Sequence, residues 1–199
     1  DLRVETINVA YRQSRRLTEF AARLVSGGEV TADPSLPEHI ENEGVAPVFA
    51  GNLADVPSLA QWLSQRIREI EVFTRQLPSI AVLVNHANML EPLAEALSRA
   101  LADMNIRAVA CPKGQAIGPE NDVRIFEVEH IKGLEFEAVF FVDVDKLAEG
   151  EPDLFNKYIY VGATRAATYL GLTSSGASLP RALQSASELM TEDWETSVR

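Results

Sequence analysis

Three short stretches of this chain combine residue types that can handle phosphate and ribose. The first is Glu129-His130-Ile131-Lys132-Gly133-Leu134-Glu135-Phe136. Lys132 can neutralise a phosphate, Glu135 can accept hydrogen bonds from ribose hydroxyls, and Gly133 lets backbone approach a ligand closely. The same residues also read as a glycine turn flanked by a surface Lys–Glu pair, and residue chemistry alone leaves both readings open. The second stretch is Tyr160-Val161-Gly162-Ala163-Thr164-Arg165-Ala166-Ala167. Arg165 carries a planar, permanently charged fork that suits phosphate oxygens, or a carboxylate on the same helix surface. The third, Ala10-Tyr11-Arg12-Gln13-Ser14, sets a ring that can stack on a base beside a guanidinium that can reach phosphate. A tyrosine at a helix entrance next to a solvated arginine is the plainer account of it.

The hydrophobic pattern indicates what holds these residues. After an extended lead through Val4, Ile7 and Val9, the residues Leu17, Phe20, Ala21, Leu24 and Val25 share one helical face, and Gly27-Gly28 ends it. Residues 29–46, with Pro34, Pro37, Glu38, Glu41 and Glu43, are expected to be a mobile surface connector. A short strand at 48–50 precedes a helix over 57–74 that turns Leu59, Trp62, Leu63, Ile67 and Ile70 inward. Residues 80–84 are almost wholly apolar, as in a parallel sheet covered on both faces. A helix over 89–104 and a strand over 106–110 lead into a turn-rich loop at 111–122.

Strands near 124–128 and 138–142 follow, then a loop at Glu149-Gly150-Glu151-Pro152, a helix over 153–166 and a strand over 168–173. This alternation predicts an α/β layered domain with a mostly parallel sheet. The Lys132 box lies between two strands, and loops at the carboxyl ends of such strands line the ligand crevice in doubly wound folds. Past Ser174 the chain reads as a tail with a helical end that carries Trp194.

A chain of 199 residues allows one domain with appendages and a substantial core. No apolar run approaches the roughly 20 residues that span a bilayer, and no charged-then-apolar leader opens the sequence. With Cys111 as the single cysteine, unable to form an internal disulfide, a cytoplasmic location without membrane partners is expected. Opening on Asp1 without an initiator Met, the chain is expected to be a part of something longer. The net charge of −11 removes the broad basic surface by which free-standing nucleic-acid binders release counterions. Any such contact must be local or carried by other domains. No Cys/His grouping suggests zinc, and no metal site is expected.

In chain order, the three stretches resemble the fourth, fifth and sixth motifs of UvrD/PcrA/Rep-type superfamily 1 DNA helicases: Ala10–Ser14 the fourth, the Lys132 box the fifth, and the Arg165 box the sixth. These motifs belong to the second of the two RecA-like motor domains, and the resemblance runs over roughly residues 9–173. It implies a three-layer RecA-like (P-loop NTPase-type) domain over residues 1–175, followed by the tail at 176–199. It also implies ATP contacts at Tyr11, Arg12, Gly133, Glu135 and Arg165. Tyr11 would stack on adenine, Arg12 touch the γ-phosphate, Glu135 bind ribose, and Arg165 serve catalysis. His130 and Lys132 would face single-stranded DNA.

No G-x-x-x-x-G-K-S/T loop occurs in the chain. The resemblance implies ATP with Mg²⁺ as the cofactor, and with this loop absent the Mg²⁺ ligands are expected on the first motor domain of the same parent protein. The expected function is the C-terminal motor domain of an ATP-dependent helicase or translocase, inactive alone. The alternative is a non-enzymatic, helicase-like interaction module whose motifs are vestigial. Some positions depart from the family pattern. Ala10 stands for Asn, Gln13 separates Arg12 from Ser14, Glu129 occupies a common His position, and Gly162 stands where Ala is frequent. A large domain inserted before the fifth motif in UvrD and PcrA is reduced here to residues 111–122.

Overall fold

Among the described residues, six strands, every pair parallel, form one sheet in the order β1-β6-β5-β2-β4-β3. They are β1 (Val48–Ala50), β2 (Ile80–Val84), β3 (Ala108–Ala110), β4 (Val123–Glu127), β5 (Phe136–Phe141) and β6 (Ala166–Thr173). The computed structural model describes residues 13–26, 42–119, 121–131, 133–150 and 152–195. The lead through Val4, Ile7 and Val9, with Tyr11 and Arg12, lies outside them, as do most of the 29–46 connector and Lys132.

The continuous apolar run of β2 follows from strand geometry, because alternate residues enter opposite layers. Ile80, Val82 and Val84 join a core beneath α2 (Val56–Thr74) and α3 (Leu90–Ala100), while Ala81 and Leu83 join a second core beneath α1 (Arg15–Ser26) and α5 (Pro152–Arg165). Both faces of the sheet are therefore covered, and the three-layer expectation holds. α1 buries Leu17 and Phe20 completely, the two residues that open its apolar face. α2 begins where Asp55 accepts a hydrogen bond from the Ser58 backbone at 2.8 Å, which satisfies one otherwise unpaired amide of the first turn. It ends at Arg75 in a left-handed conformation, with all five predicted inward residues buried.

Several boundaries differ from the sequence reading. The helix expected over 89–104 divides into α3 and a 3₁₀ turn at Ala102–Met104, which closes on Asn105 at φ 55°. Residues 144–150, of which the expected loop covers only 149 and 150, form the short helix α4 (Val144–Gly150). The segment after Ser174 is no loose tail in the described residues. It forms the brief helix α6 (Arg181–Gln184), adds a bridge from Thr191 to Val48 at the sheet edge, and ends with Trp194 fully buried. The indole donates to the Ala46 carbonyl at 2.9 Å and meets the rings of Phe140 and Tyr169 edge-on at 6.0 and 5.2 Å.

Candidate functional site

Among the described boxed residues, Glu135 and Arg165 lie at the amino edge of the sheet, which corrects the carboxyl-edge expectation for them, whereas His130 stays near the carboxyl end of β4. β4 and β5 run in the same direction on either side of β2, so residues 128–135 must cross one face of the sheet from the carboxyl end of β4 to the amino end of β5. Val128 and Ile131 are buried in that crossover, and the residues after Gly133 emerge at its far end. Glu135 directly precedes β5, and Arg165 directly precedes β6. The register pairs Phe136 with Ala166, so the two backbones start about one strand spacing apart, roughly 5 Å.

Arg165 is the last residue of α5 and is partly buried. Its Nε is enclosed and has no hydrogen-bond partner among the described residues. A buried guanidinium nitrogen without an acceptor is costly, and such groups are rare in folded proteins. The sequence alternative of an arginine neutralised by a carboxylate on its own helix finds no support, since among the described residues Arg165 makes no ion pair.

Glu135 is exposed and lines an open groove of about 890 Å³ together with Ser79, Asn105, Asp122, Arg124 and Leu134. Gly133 is exposed at φ +84°, a conformation that favours glycine, and nothing lies within 4 Å of the position a Cβ would take. The space over this backbone is open.

The start of α1 reaches the same corner. Gln13 Nε2 donates to the carbonyls of Ala163 at 2.8 Å and Ala166 at 3.0 Å, bracketing Arg165. The Ser14 amide donates to the Ala167 carbonyl at 2.8 Å. Tyr11 and Arg12 themselves are outside the described residues.

Other candidates separate from this edge. His130 sits on a 3₁₀ turn (Val128–His130) near the carboxyl end of β4, with its carbonyl 2.7 Å from where a Cβ on Gly114 would be. Its Nε2 is 3.7 Å from Glu127 and 3.4 Å from Glu129. These three residues bring ligand atoms within 4.8 Å of one another, a grouping that the search for Cys/His clusters passed over. Its signal was the run Glu127, Glu129, His130 on one turn.

Asp143 and Asp145 hold the carboxyl edge together. Asp143 takes φ 53°, accepts from Lys146 at 2.8 Å, and its backbone receives Asn85 Nδ2 at 2.9 Å. Asp145 accepts from the Ser175 hydroxyl and amide and from the Gly176 amide. Burial pushes the Asp145 carboxyl upward, but these hydrogen bonds outweigh it and hold the pKa at about 2.

Gly162 also has a structural reason the sequence left unexplained. A Cβ there would lie 2.9 Å from the Phe141 ring and 3.3 Å from Leu83.

Residues 122–173 match the family model of the UvrD-like helicase C-terminal domain. The chain resembles UvrD-like helicase C-terminal domains. That matched segment contains the Lys132 box and the Arg165 box, together with β4, β5, α5 and β6. Among solved structures, the fold is similar to the C-terminal domain of a possible DNA helicase from Lactobacillus plantarum WCFS1. The TM-score is 0.61 at 18% identity, over 91% of this chain and 97% of that one. No curated protein sequence matches. No helix among the described residues is long and apolar enough to cross a membrane.

Proposed function

We propose that this chain is the second RecA-like motor domain of an ATP-dependent superfamily 1 DNA helicase or translocase. In this role it supplies the arginine-bearing half of an ATP site shared with a first motor domain of the same parent protein. The observation that carries the reading is convergence at one sheet edge. Glu135 and Arg165 precede neighbouring strands on that edge, and Gln13 at the start of α1 bonds to the Arg165 turn although 150 residues separate it from Ala163.

The residues fit a nucleotide. Arg165 has an enclosed Nε that lacks an acceptor among the described residues, Glu135 is an exposed carboxylate, and the backbone at Gly133 is open. Arg165 would meet charge building on the γ-phosphate, an interaction worth on the order of 10³ to 10⁵ in rate where it is measured. Glu135 would accept from ribose hydroxyls, Tyr11 would stack on adenine, Arg12 would touch the γ-phosphate, and Gly133 would admit the ligand close to backbone. Mg²⁺ would supply charge neutralisation at the phosphates, and its ligands would belong to the first motor domain.

Closure of two domains on a shared ligand, and reopening after hydrolysis, would step the pair along single-stranded DNA. Lys132 would reach the DNA backbone. His130, flanked by two glutamates, suits a base or sugar contact better than a phosphate.

The test is ATP turnover by the full-length parent with and without single-stranded DNA, beside Arg165→Ala. DNA-stimulated turnover that disappears in the variant supports the motor. A parent inert toward ATP under both conditions points to the interaction module instead.

A further inference from the structure

We infer that Gln13 is a positioning residue for Arg165, a role that rests on the motor reading above. An α-helix leaves its last four carbonyls without intrahelical donors. At the end of α5, Gln13 serves two carbonyls in this region from outside the helix, those of Ala163 at 2.8 Å and Ala166 at 3.0 Å. One lies two residues before Arg165 and the other one residue after it, so a single amide group fixes the backbone on both sides of the guanidinium's Cα.

The contact is anchored on the α1 side as well. Ser14 is fully buried and its amide donates to the Ala167 carbonyl at 2.8 Å. The Arg15 and Arg16 amides donate to the Asn42 and Glu43 carbonyls at 3.0 and 3.2 Å. Gly44 packs so closely that a Cβ there would fall 2.3 Å from the Ser14 side chain. The Gln13 backbone therefore leads into a fixed point, and its side chain transmits that fixation to the turn carrying Arg165.

The geometry also explains why a long amide suits this position. Two acceptors must be reached by one nitrogen with two protons, and the glutamine amide offers that pair of donors. Serine, threonine or alanine would be too short or would lack the second donor. Gln13 touches no reacting atom in this account and acts through Arg165 alone.

The experiment uses the full-length parent, comparing Gln13→Met, Gln13→Lys, Arg165→Ala and the double variant Gln13→Met/Arg165→Ala. Methionine keeps length and removes the donors. Lysine restores a donor that can reach both carbonyls, and its charge suits a helix carboxyl end. A misplaced catalytic group costs on the order of 10²-fold in rate. Gln13→Met should lower kcat for ATP by roughly that factor while KM changes little, and Gln13→Lys should recover most of it. In the double variant, Gln13→Met should add nothing to the loss already caused by Arg165→Ala, because residues acting as a unit are non-additive.

A Gln13→Met parent that melts earlier yet turns over ATP at the normal kcat overturns the positioning role. Equal losses from Gln13→Met with and without Arg165 overturn it too. A parent with no ATP turnover overturns the motor reading and this role with it. One whose turnover needs Arg165 but ignores Gln13 overturns this role alone.

Discussion

At the scale of single residues, the chain separates side chains that secure the fold from those left over. Asp145 belongs to the first group. Its carboxylate is held at a pKa of about 2, below the 3.8 of an unrestrained aspartate. A depressed folded-state pKa contributes stability that is complete above about 3.8 and is lost as pH falls from there through about 2. After allowance for solvent screening, the contribution is about 1 kcal/mol. Asp145→Asn should therefore flatten the acid limb of a stability-against-pH curve measured by urea unfolding. An unchanged limb would show that the Ser175 and Gly176 contacts do not bias its titration.

Arg165 belongs to the second group, since its Nε finds no acceptor among the described residues. The phosphate role expected of Arg165 came from its motif, whereas the structural role of Asp145 was not visible in the sequence. Asp143 and Asp145 follow the strand expected near 138–142 with nothing local to mark them, and only the β2, β5 and β6 ends drawn together show that they hold the carboxyl edge. That Arg165 makes no ion pair among the described residues depends on side chains far away in sequence, which no local pattern reports.

At the scale of elements, β2 and α2 were readable because their apolar periods match the two environments that cover them. α4 was missed because Val144–Gly150 spans barely two turns, too few for a period to register. The edge on which the boxes emerge was also hidden, because it depends on strand order. Nothing in residues 128–135 states that β5 lies beyond β2.

Gly162 illustrates how packing fixes what propensity leaves free. Alanine there would gain about 1 kcal/mol of helix propensity. It would also force a Cβ against Phe141 and Leu83, and overpacking a core costs typically about 1–3 kcal/mol. Gly162→Ala should lower stability by about 1 kcal/mol net, read from the urea midpoint, and Phe141→Leu in the same chain should recover part of that loss. A stabilised Gly162→Ala would mean that the ring moves aside freely.

At the scale of the whole molecule, the last described residues belong to the core. Trp194 read as part of a tail because one aromatic in an acidic stretch has no period to place it. In the fold it closes the layer under α2, beside Phe140, Tyr169 and Trp62. Arg66 reinforces this closure by pairing with Glu69 at 2.6 Å and donating to the Glu192 carbonyl at 2.9 Å. Removing a fully buried aromatic costs about 3–5 kcal/mol. Trp194→Ala should therefore shift the unfolding midpoint strongly, whereas a change below about 1 kcal/mol would return this segment to the status of a tail.

The same scale accounts for expected inactivity in isolation. The chain carries an arginine-bearing edge but no phosphate-cradling loop, so the purified domain alone should hydrolyse no ATP. In the proposed motor, its acidic balance of −11 would place most DNA affinity on other parts of the parent.

The central claim is that Arg165 faces phosphate charge that develops during hydrolysis. The most direct measurement compares ADP with ADP–aluminium fluoride, a transition-state mimic, for affinity to the full-length parent and its Arg165→Ala variant. The account predicts that the variant loses on the order of 10³-fold in affinity for the mimic and little for ADP. Equal affinities for the mimic in the two proteins would contradict it.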